Sequence, residues 1–155
     1  TFIYMATSPG AGKPVSEEKD AVERAVAMKM SKSKPETAVF MTDSPEDVKR
    51  KITKAYCPVN TDEDNPVMEY AKYILFEKYD SIEIRRLEKF GEKLVLNSYD
   101  ELKRVYSTGE LHPADLKLTV ADYLNELLRP VREHFEKNAK ARKLLEEVKS
   151  FEVTR

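Results

Sequence analysis

Proline marks where helices begin in this chain, and that placement constrains its fold more than any other feature. Ser44-Pro45-Glu46-Asp47, Asn65-Pro66 and His112-Pro113 each stand immediately before apolar residues repeating at helical spacing. Proline has φ fixed near the helical value and no N–H, so it fits the first helical position, where an N–H has no intrahelical acceptor. From Pro45 the pattern predicts a helix to Tyr56 that buries Val48, Ile52 and Ala55 and stops at Pro58. Ser44 is its cap, and Glu46 and Asp47 complement the positive end of the dipole. The other face carries Lys49, Arg50, Lys51 and Lys54, a set that suits either plain solvation or contact with phosphates. A second helix runs from Asn65-Pro66 to about Lys78 with Val67, Tyr70, Ala71, Ile74 and Leu75 on one stripe. The last long helix opens at Pro113 and buries Leu116, Val120, Leu124, Leu127, Leu128, Val131 and Phe135, with a kink expected at the internal Pro130.

Between these helices, Ser81 to Leu87 and Lys93 to Asn97 alternate like short strands joined around Phe90-Gly91. Ser98 caps a further helix, Glu101 completes a capping box, and Gly109 ends it. Beyond Glu136 the tail is highly charged, yet Leu144, Leu145 and Val148 are spaced to pack one side of a helix. The expected class is mainly α (α+β): helices with one small β-hairpin.

Residues 1–43 read differently. Phe2, Ile3, Tyr4 and Met5 suit a short buried strand entering the loop Ser8-Pro9-Gly10-Ala11-Gly12-Lys13-Pro14. That loop is not a phosphate loop, because no glycine stands five residues before Gly12 and no Ser or Thr follows Lys13. A linker fits it better. Ser16 to Ala27 suits a short helix, although Lys19 stands where a Glu would complete a capping box. Then comes Lys29-Met30-Ser31-Lys32-Ser33, closed by Pro35 and followed by the apolar segment Ala38 to Met41. Lysines at i and i+3 beside small hydroxyls suit a multi-oxygen anion such as a polyphosphate, since ammonium and hydroxyl groups converge on the same oxygens. Taken alone, the same run also suits solvated surface.

Composition narrows the classes. With 41% apolar and 35% charged residues over 155 positions, the chain can build a core and remain soluble. A net charge of −1 excludes a global basic field, so any nucleic-acid binding rests on local clusters. The lone Cys57 excludes an internal disulfide framework and fits a reducing, cytoplasmic setting. No secretory signal and no membrane-spanning apolar run is present. Thr1 in place of an initiating methionine is the mark expected of a fragment or a processed chain.

A second constellation lies near the hairpin. Phe90 sits at its tip, and Leu111-His112-Pro113-Ala114-Asp115 places a histidine just before a helix and an acid in its first turn. Phe90 is either a satellite core residue or a stacking platform. His112 either caps the helix or touches a ligand, and Asp115 either complements the dipole or accepts from a base. Together, an aromatic ring, a histidine and an acid suit a splayed single-stranded base, stacked on its face and read on its edge.

These residues, taken in order, resemble the class I aminoacyl-tRNA synthetases, and within them the archaeal and eukaryotic branch of tyrosyl-tRNA synthetase. Lys29-Met30-Ser31-Lys32-Ser33 matches the class I KMSKS signature. The resemblance continues through Lys54-Ala55-Tyr56-Cys57-Pro58, Asn65-Pro66-Val67, Tyr70-Ala71-Lys72-Tyr73, Glu88-Lys89-Phe90-Gly91 and Asn97-Ser98-Tyr99. It ends in Leu111-His112-Pro113-Ala114-Asp115-Leu116-Lys117 and Arg129-Pro130-Val131-Arg132, covering roughly residues 28 to 135.

The resemblance implies a division into residues 1–43, the end of a Rossmann-type catalytic domain carrying the KMSKS loop, and 44–155, a helical anticodon-binding domain with a charged helical tail. It implies that Lys29, Met30, Ser31, Lys32 and Ser33 close on ATP. Lys29 and Lys32 would stabilise charge building on the pyrophosphate as the amino acid attacks the α-phosphate. Phe90 would stack on the first anticodon base, a guanine, while His112 and Asp115 contact its edge. ATP with Mg²⁺, tyrosine and tRNA-Tyr are the implied partners of the full enzyme, a homodimer through its catalytic domain. A fragment could be monomeric. No resident metal is expected in this part. The chain has no H-I-G-H signature and lacks the tyrosine-binding half of the nucleotide fold, so it is expected to be inactive alone. The rivals are a tryptophanyl-tRNA synthetase, which shares loop and architecture, a non-enzymatic tRNA-binding module, and a helical domain whose polar clusters are all solvated.

Overall fold

The computed structural model describes residues 35–84, 86 and 93–151, together with the backbone of Ile3 and Tyr4. The expected helix at Ser16 to Ala27, the Lys29–Ser33 run and Phe90 lie outside the described residues. Strand β1 (Ile3–Tyr4) pairs antiparallel with β2 (Ala38–Val39), Ile3 opposite Val39 and Tyr4 opposite Ala38. A 3₁₀ turn at Pro35–Thr37 leads into β2.

Helix α1 (Pro45–Lys54) starts as its proline requires: Pro45 is at N1 and the Ser44 hydroxyl accepts from Asp47 N–H at 3.1 Å. Val48, Ile52 and the following Ala55 are buried, as the periodicity predicts. The helix ends earlier than expected. Ala55 turns extended at ψ 147, three residues before Pro58. Lys51 also corrects the sequence reading. It is 4% exposed and bound to Asp43 at 2.6 Å, so the basic face of α1 is interrupted. Lys49 and Lys54 remain exposed.

Helix α2 begins with Pro66–Tyr70, widens into a π-helical turn at Ala71–Leu75, and finishes with Phe76–Lys78. Asn65 is fully buried and caps it twice over, accepting from Val67 and Met68 N–H at 3.2 and 3.3 Å while donating to Thr61 O at 3.0 Å. Strands β3 (Ile82–Ile84) and β4 (Leu94–Leu96) pair antiparallel, Ile82 opposite Leu96 and Ile84 opposite Leu94, within the two segments where alternation predicts strands.

Helix α3 (Tyr99–Ser107) carries the Ser98 cap, which accepts from Glu101 N–H at 3.2 Å. The reciprocal capping-box bond is displaced by one residue, Glu101 Oε2 accepting from Asn97 N–H at 2.8 Å. Gly109 closes the turn with φ 78, and Asn60 lies 3.3 Å from where a side chain would begin. Both the left-handed backbone and that close approach select glycine.

Helix α4 (Pro113–Lys137) runs through Pro130 without interruption. It packs more extensively on α1 than any other pair of elements does on each other. Leu116, Val120, Leu124 and Leu128 join Val48, Ile52, Val67, Met68, Leu102 and Tyr106 in one core. Leu127, Val131 and Phe135 are only half-buried, because the far end of α4 has less covering it. Asn138 then ends α4 and caps α5 (Ala139–Ser150), its N–H bonded to His134 O at 3.0 Å and its Oδ1 accepting from Ala141 at 3.0 Å. The tail is therefore a helix, but Leu144 and Val148 are 52% and 62% exposed rather than packed. The expected class, mainly helical with a small hairpin, is the class observed.

Candidate nucleic-acid interface

The turn at Gly109 delivers the chain into the start of α4. Gly109 N–H bonds Tyr106 O and Leu111 N–H bonds Val105 O, both at 3.1 Å, and Leu111 is buried as an anchor. His112 follows as the N-cap of α4, with Nδ1 accepting from Ala114 N–H at 3.1 Å. Because Nδ1 is an acceptor, the neutral ring carries its proton on Nε2. The ring is exposed, so it offers that N–H and a π face to solvent.

Asp115 lies in the next turn position and is 9% exposed. Its backbone is committed, with N–H to His112 O at 3.1 Å and its carbonyl accepting from Thr119 Oγ1 at 2.8 Å. Among the described residues no protein donor bonds its carboxylate. An acceptor so placed, in the positive field of a helix start, suits a ligand that brings its own N–H groups. The capping bond of His112 is present and Asp115 stands in the first turn of α4, and this leaves the Nε2 donor and the carboxylate available.

The hairpin is tied to this point. Arg86, just past β3, donates from Nη2 to Glu110 O at 2.9 Å, two residues before His112. Sequence reasoning did not single out Arg86. Its only signal was a cation between a strand and the Phe90 tip, and its partner lies 24 residues away. Lys117, one turn into α4, donates to Thr53 O at 3.0 Å and so brings the end of α1, with Lys54, alongside.

Behind the site, Tyr106 holds the corner between α1 and α2. Its hydroxyl donates to Pro58 O at 2.7 Å and lies 3.1 Å from Cys57 Sγ. Burial pushes both the Tyr106 hydroxyl and the Cys57 thiol up from their ordinary values, so neither is poised as a nucleophile. Among the described residues no group of three or more His, Cys, Asp or Glu side chains could hold a metal ion, and no helix is long and apolar enough to cross a membrane.

Comparison with known proteins identifies the family. The family model for tRNA synthetases class I (W and Y) matches residues 18–129. A tyrosine–tRNA ligase of Thermococcus kodakarensis is 47% identical over 88% of this chain and 36% of its own length. One from Saccharolobus solfataricus is 44% identical over 100% of this chain and 42% of its own. The structure of tyrosyl-tRNA synthetase from Pyrococcus horikoshii, complexed with L-tyrosine, superposes with a TM-score of 0.78 at 38% identity, covering 94% of this chain and 39% of that one. The Aeropyrum pernix tyrosyl-tRNA synthetase structure gives 0.69 at 45% identity over 80% of this chain and 36% of that one. The chain thus spans about two-fifths of the length of these relatives. With the family model reaching from upstream of the KMSKS run to the end of the helical core, the chain belongs to the class I tRNA synthetases for tryptophan and tyrosine.

Proposed function

We propose that this chain is the portion of a tyrosine–tRNA ligase that supplies the KMSKS loop and the anticodon-binding helices. In this reading residues 1–43 close the catalytic nucleotide fold and residues 44–155 form the anticodon-binding domain. The observation that carries it is the pairing of an exposed His112 ring with an unclaimed Asp115 carboxylate at the start of α4, with the hairpin bound beside them through Arg86. A guanine base presents N–H donors on its edge, which a carboxylate accepts, and its face stacks on aromatic rings such as Phe90. Lys29 and Lys32, with Ser31, Ser33 and the Met30 between them, act on ATP in the full enzyme. Their role there is to stabilise charge on the departing pyrophosphate, with Mg²⁺ accompanying the nucleotide. The full enzyme is a cytoplasmic homodimer, and the 155-residue chain alone is without activation activity.

Binding of a tyrosine tRNA anticodon stem–loop tests the reading. His112→Ala and Asp115→Ala should each weaken binding by roughly 5- to 150-fold, the equivalent of about 1–3 kcal/mol for one stacked or base-edge contact. Replacing the guanine at the first anticodon position should remove the effect of Asp115→Ala. Unchanged binding in both variants refutes the base-reading assignment. Robust tyrosine-dependent pyrophosphate exchange by the chain alone refutes the division of labour. A preference for the tryptophan tRNA stem–loop moves the assignment to the tryptophan enzyme.

A further inference from the structure

Residues 40–44 join the part of the chain that carries Lys29–Ser33 to the helices that carry His112 and Asp115. A connection in that position could hinge, yet it is held from two sides. Asp43 N–H donates to Phe40 O at 3.0 Å, and the Asp43 carboxylate accepts from Phe40 N–H at 2.8 Å, closing a tight turn. From α1, the buried Lys51 ammonium reaches the same carboxylate at 2.6 Å and the Ala38 carbonyl of β2 at 2.9 Å. From the far end of α4, Arg132 Nε donates to the Asp43 carbonyl at 2.7 Å. The rest of that guanidinium holds Asn125, at 2.7 Å to Oδ1 and 3.3 Å to the backbone carbonyl. Asn125 Nδ2 in turn donates to Pro45 O at 3.1 Å.

Burial holds the Arg132 guanidinium below its ordinary pKa, with Asp43 the first charge opposing that shift. Desolvating a guanidinium to grip backbone carbonyls is costly for packing alone, and a methionine or leucine would fill the space more cheaply. What the guanidinium adds is direction, because its planar fork fixes where the linker lies against α4. The lever is long. Arg132 stands 20 residues beyond His112, about 30 Å along the helix. A tilt of about 5° at the clasp therefore displaces the His112 end by roughly 3 Å.

We propose that Arg132 and Asn125, with Asp43 and Lys51, form a clasp that sets the angle between the anticodon-reading end of α4 and the β2 segment, making Arg132 and Asn125 positioning residues for the transfer of tyrosine to tRNA. This rests on the function proposed above. Neither residue touches substrate. They act by delivering an anticodon-bound tRNA in register with the catalytic half, and a misplacement of 1 Å at a reacting centre costs on the order of 100-fold in rate.

The test uses the intact protein that contains this chain and the variants Arg132→Gln, Arg132→Lys and Asn125→Ala. Charging of whole tRNA-Tyr should fall about tenfold or more in kcat. Tyrosine-dependent pyrophosphate exchange, which needs no tRNA, and affinity for the isolated anticodon stem–loop should each stay within about twofold, since neither spans the clasp. Arg132→Lys should behave like Arg132→Gln, because a single ammonium nitrogen cannot reproduce the three directed bonds that the planar guanidinium makes to Asp43 O, Asn125 O and Asn125 Oδ1. If Arg132→Gln fails to fold, Asn125→Ala, which leaves the bond from Arg132 to Asp43 in place, decides the matter on the same readouts. The clasp is overturned if exchange and charging fall in the same proportion, if stem–loop affinity falls with charging, or if nothing changes. Absence of tyrosine charging by the unmutated protein overturns the functional reading itself, and the clasp with it.

Discussion

Removing Asp43 should unfold this chain far more readily than removing its partner, Lys51. The pair is 2.6 Å apart, with side chains 13% and 4% exposed respectively. Asp43→Ala leaves a buried ammonium with only the Ala38 carbonyl at 2.9 Å and the face of the Phe40 ring, 4.8 Å from its centroid. Breaking one side of a buried ion pair costs about 3–5 kcal/mol. The remaining acceptor and the cation–π contact hold the expectation near the low end, about 3 kcal/mol. For a chain of 155 residues that is a fall in Tm of roughly 6–12 °C. Lys51→Met keeps the length of the side chain and leaves Asp43 nearer to solvent, still accepting from Phe40 N–H at 2.8 Å. It should cost about 1–2 kcal/mol. The double variant should cost no more than Lys51→Met, because the stranded charge has gone. Urea denaturation followed by circular dichroism gives each value. Equal costs for the single variants, adding in the double to within about 0.5 kcal/mol, would show that burial and not pairing governs this site.

Other outcomes follow from the same geometry. Tyr106→Phe strands the Pro58 carbonyl and should lower stability by about 1–2 kcal/mol in the same denaturation assay. Asn65→Ala removes a cap that serves Val67, Met68 and Thr61 together, and a loss of about 2–3 kcal/mol is expected, with no loss counting against the capping role. Leu116→Ala in the core between α1 and α4 should cost about 2–5 kcal/mol, measured as a shift in the urea midpoint. Tyr99 is pushed up to about 12, by burial first and then by Asp62, against an ordinary value of 10.0. The unfolded chain therefore ionises first, so stability from this source is complete below about pH 10 and drains away as pH rises towards about 12. Tyr99→Phe should flatten that part of the stability–pH curve, and an unchanged slope would refute the shift.

The parts of the fold visible in the sequence are those whose physics is local. Pro45, Pro66 and Pro113 each stand at the first turn of a helix because the missing N–H and fixed φ act within a few residues. His112 and Asp115 are legible for the same reason, since a cap and a first-turn acid are defined by their own helix. Lys51 departs from the solvated face that periodicity predicts, because periodicity counts faces and takes no account of the β2 segment, whose Ala38 carbonyl its ammonium reaches. The π-helical turn at Ala71–Leu75 has no signature in the stripe of Val67, Tyr70 and Ala71. Arg86 and Arg132 find their partners 24 and 89 residues away, so no window along the chain contains both ends of either bond. Leu144 and Val148 carry the right spacing for burial, yet nothing among the described residues lies across them.

The corner held by Tyr106 gives the molecule a built-in clock. Cys57 is its only cysteine, and burial keeps the thiol protonated beside the Tyr106 hydroxyl at 3.1 Å. Cys57 is half-buried, and disulfide reagents attack the thiolate, so its raised pKa slows reaction in the closed corner and parting of that corner speeds it. The rate at which this chain consumes a coloured thiol reagent thus reports how often the junction between α1 and α2 opens, with no label introduced.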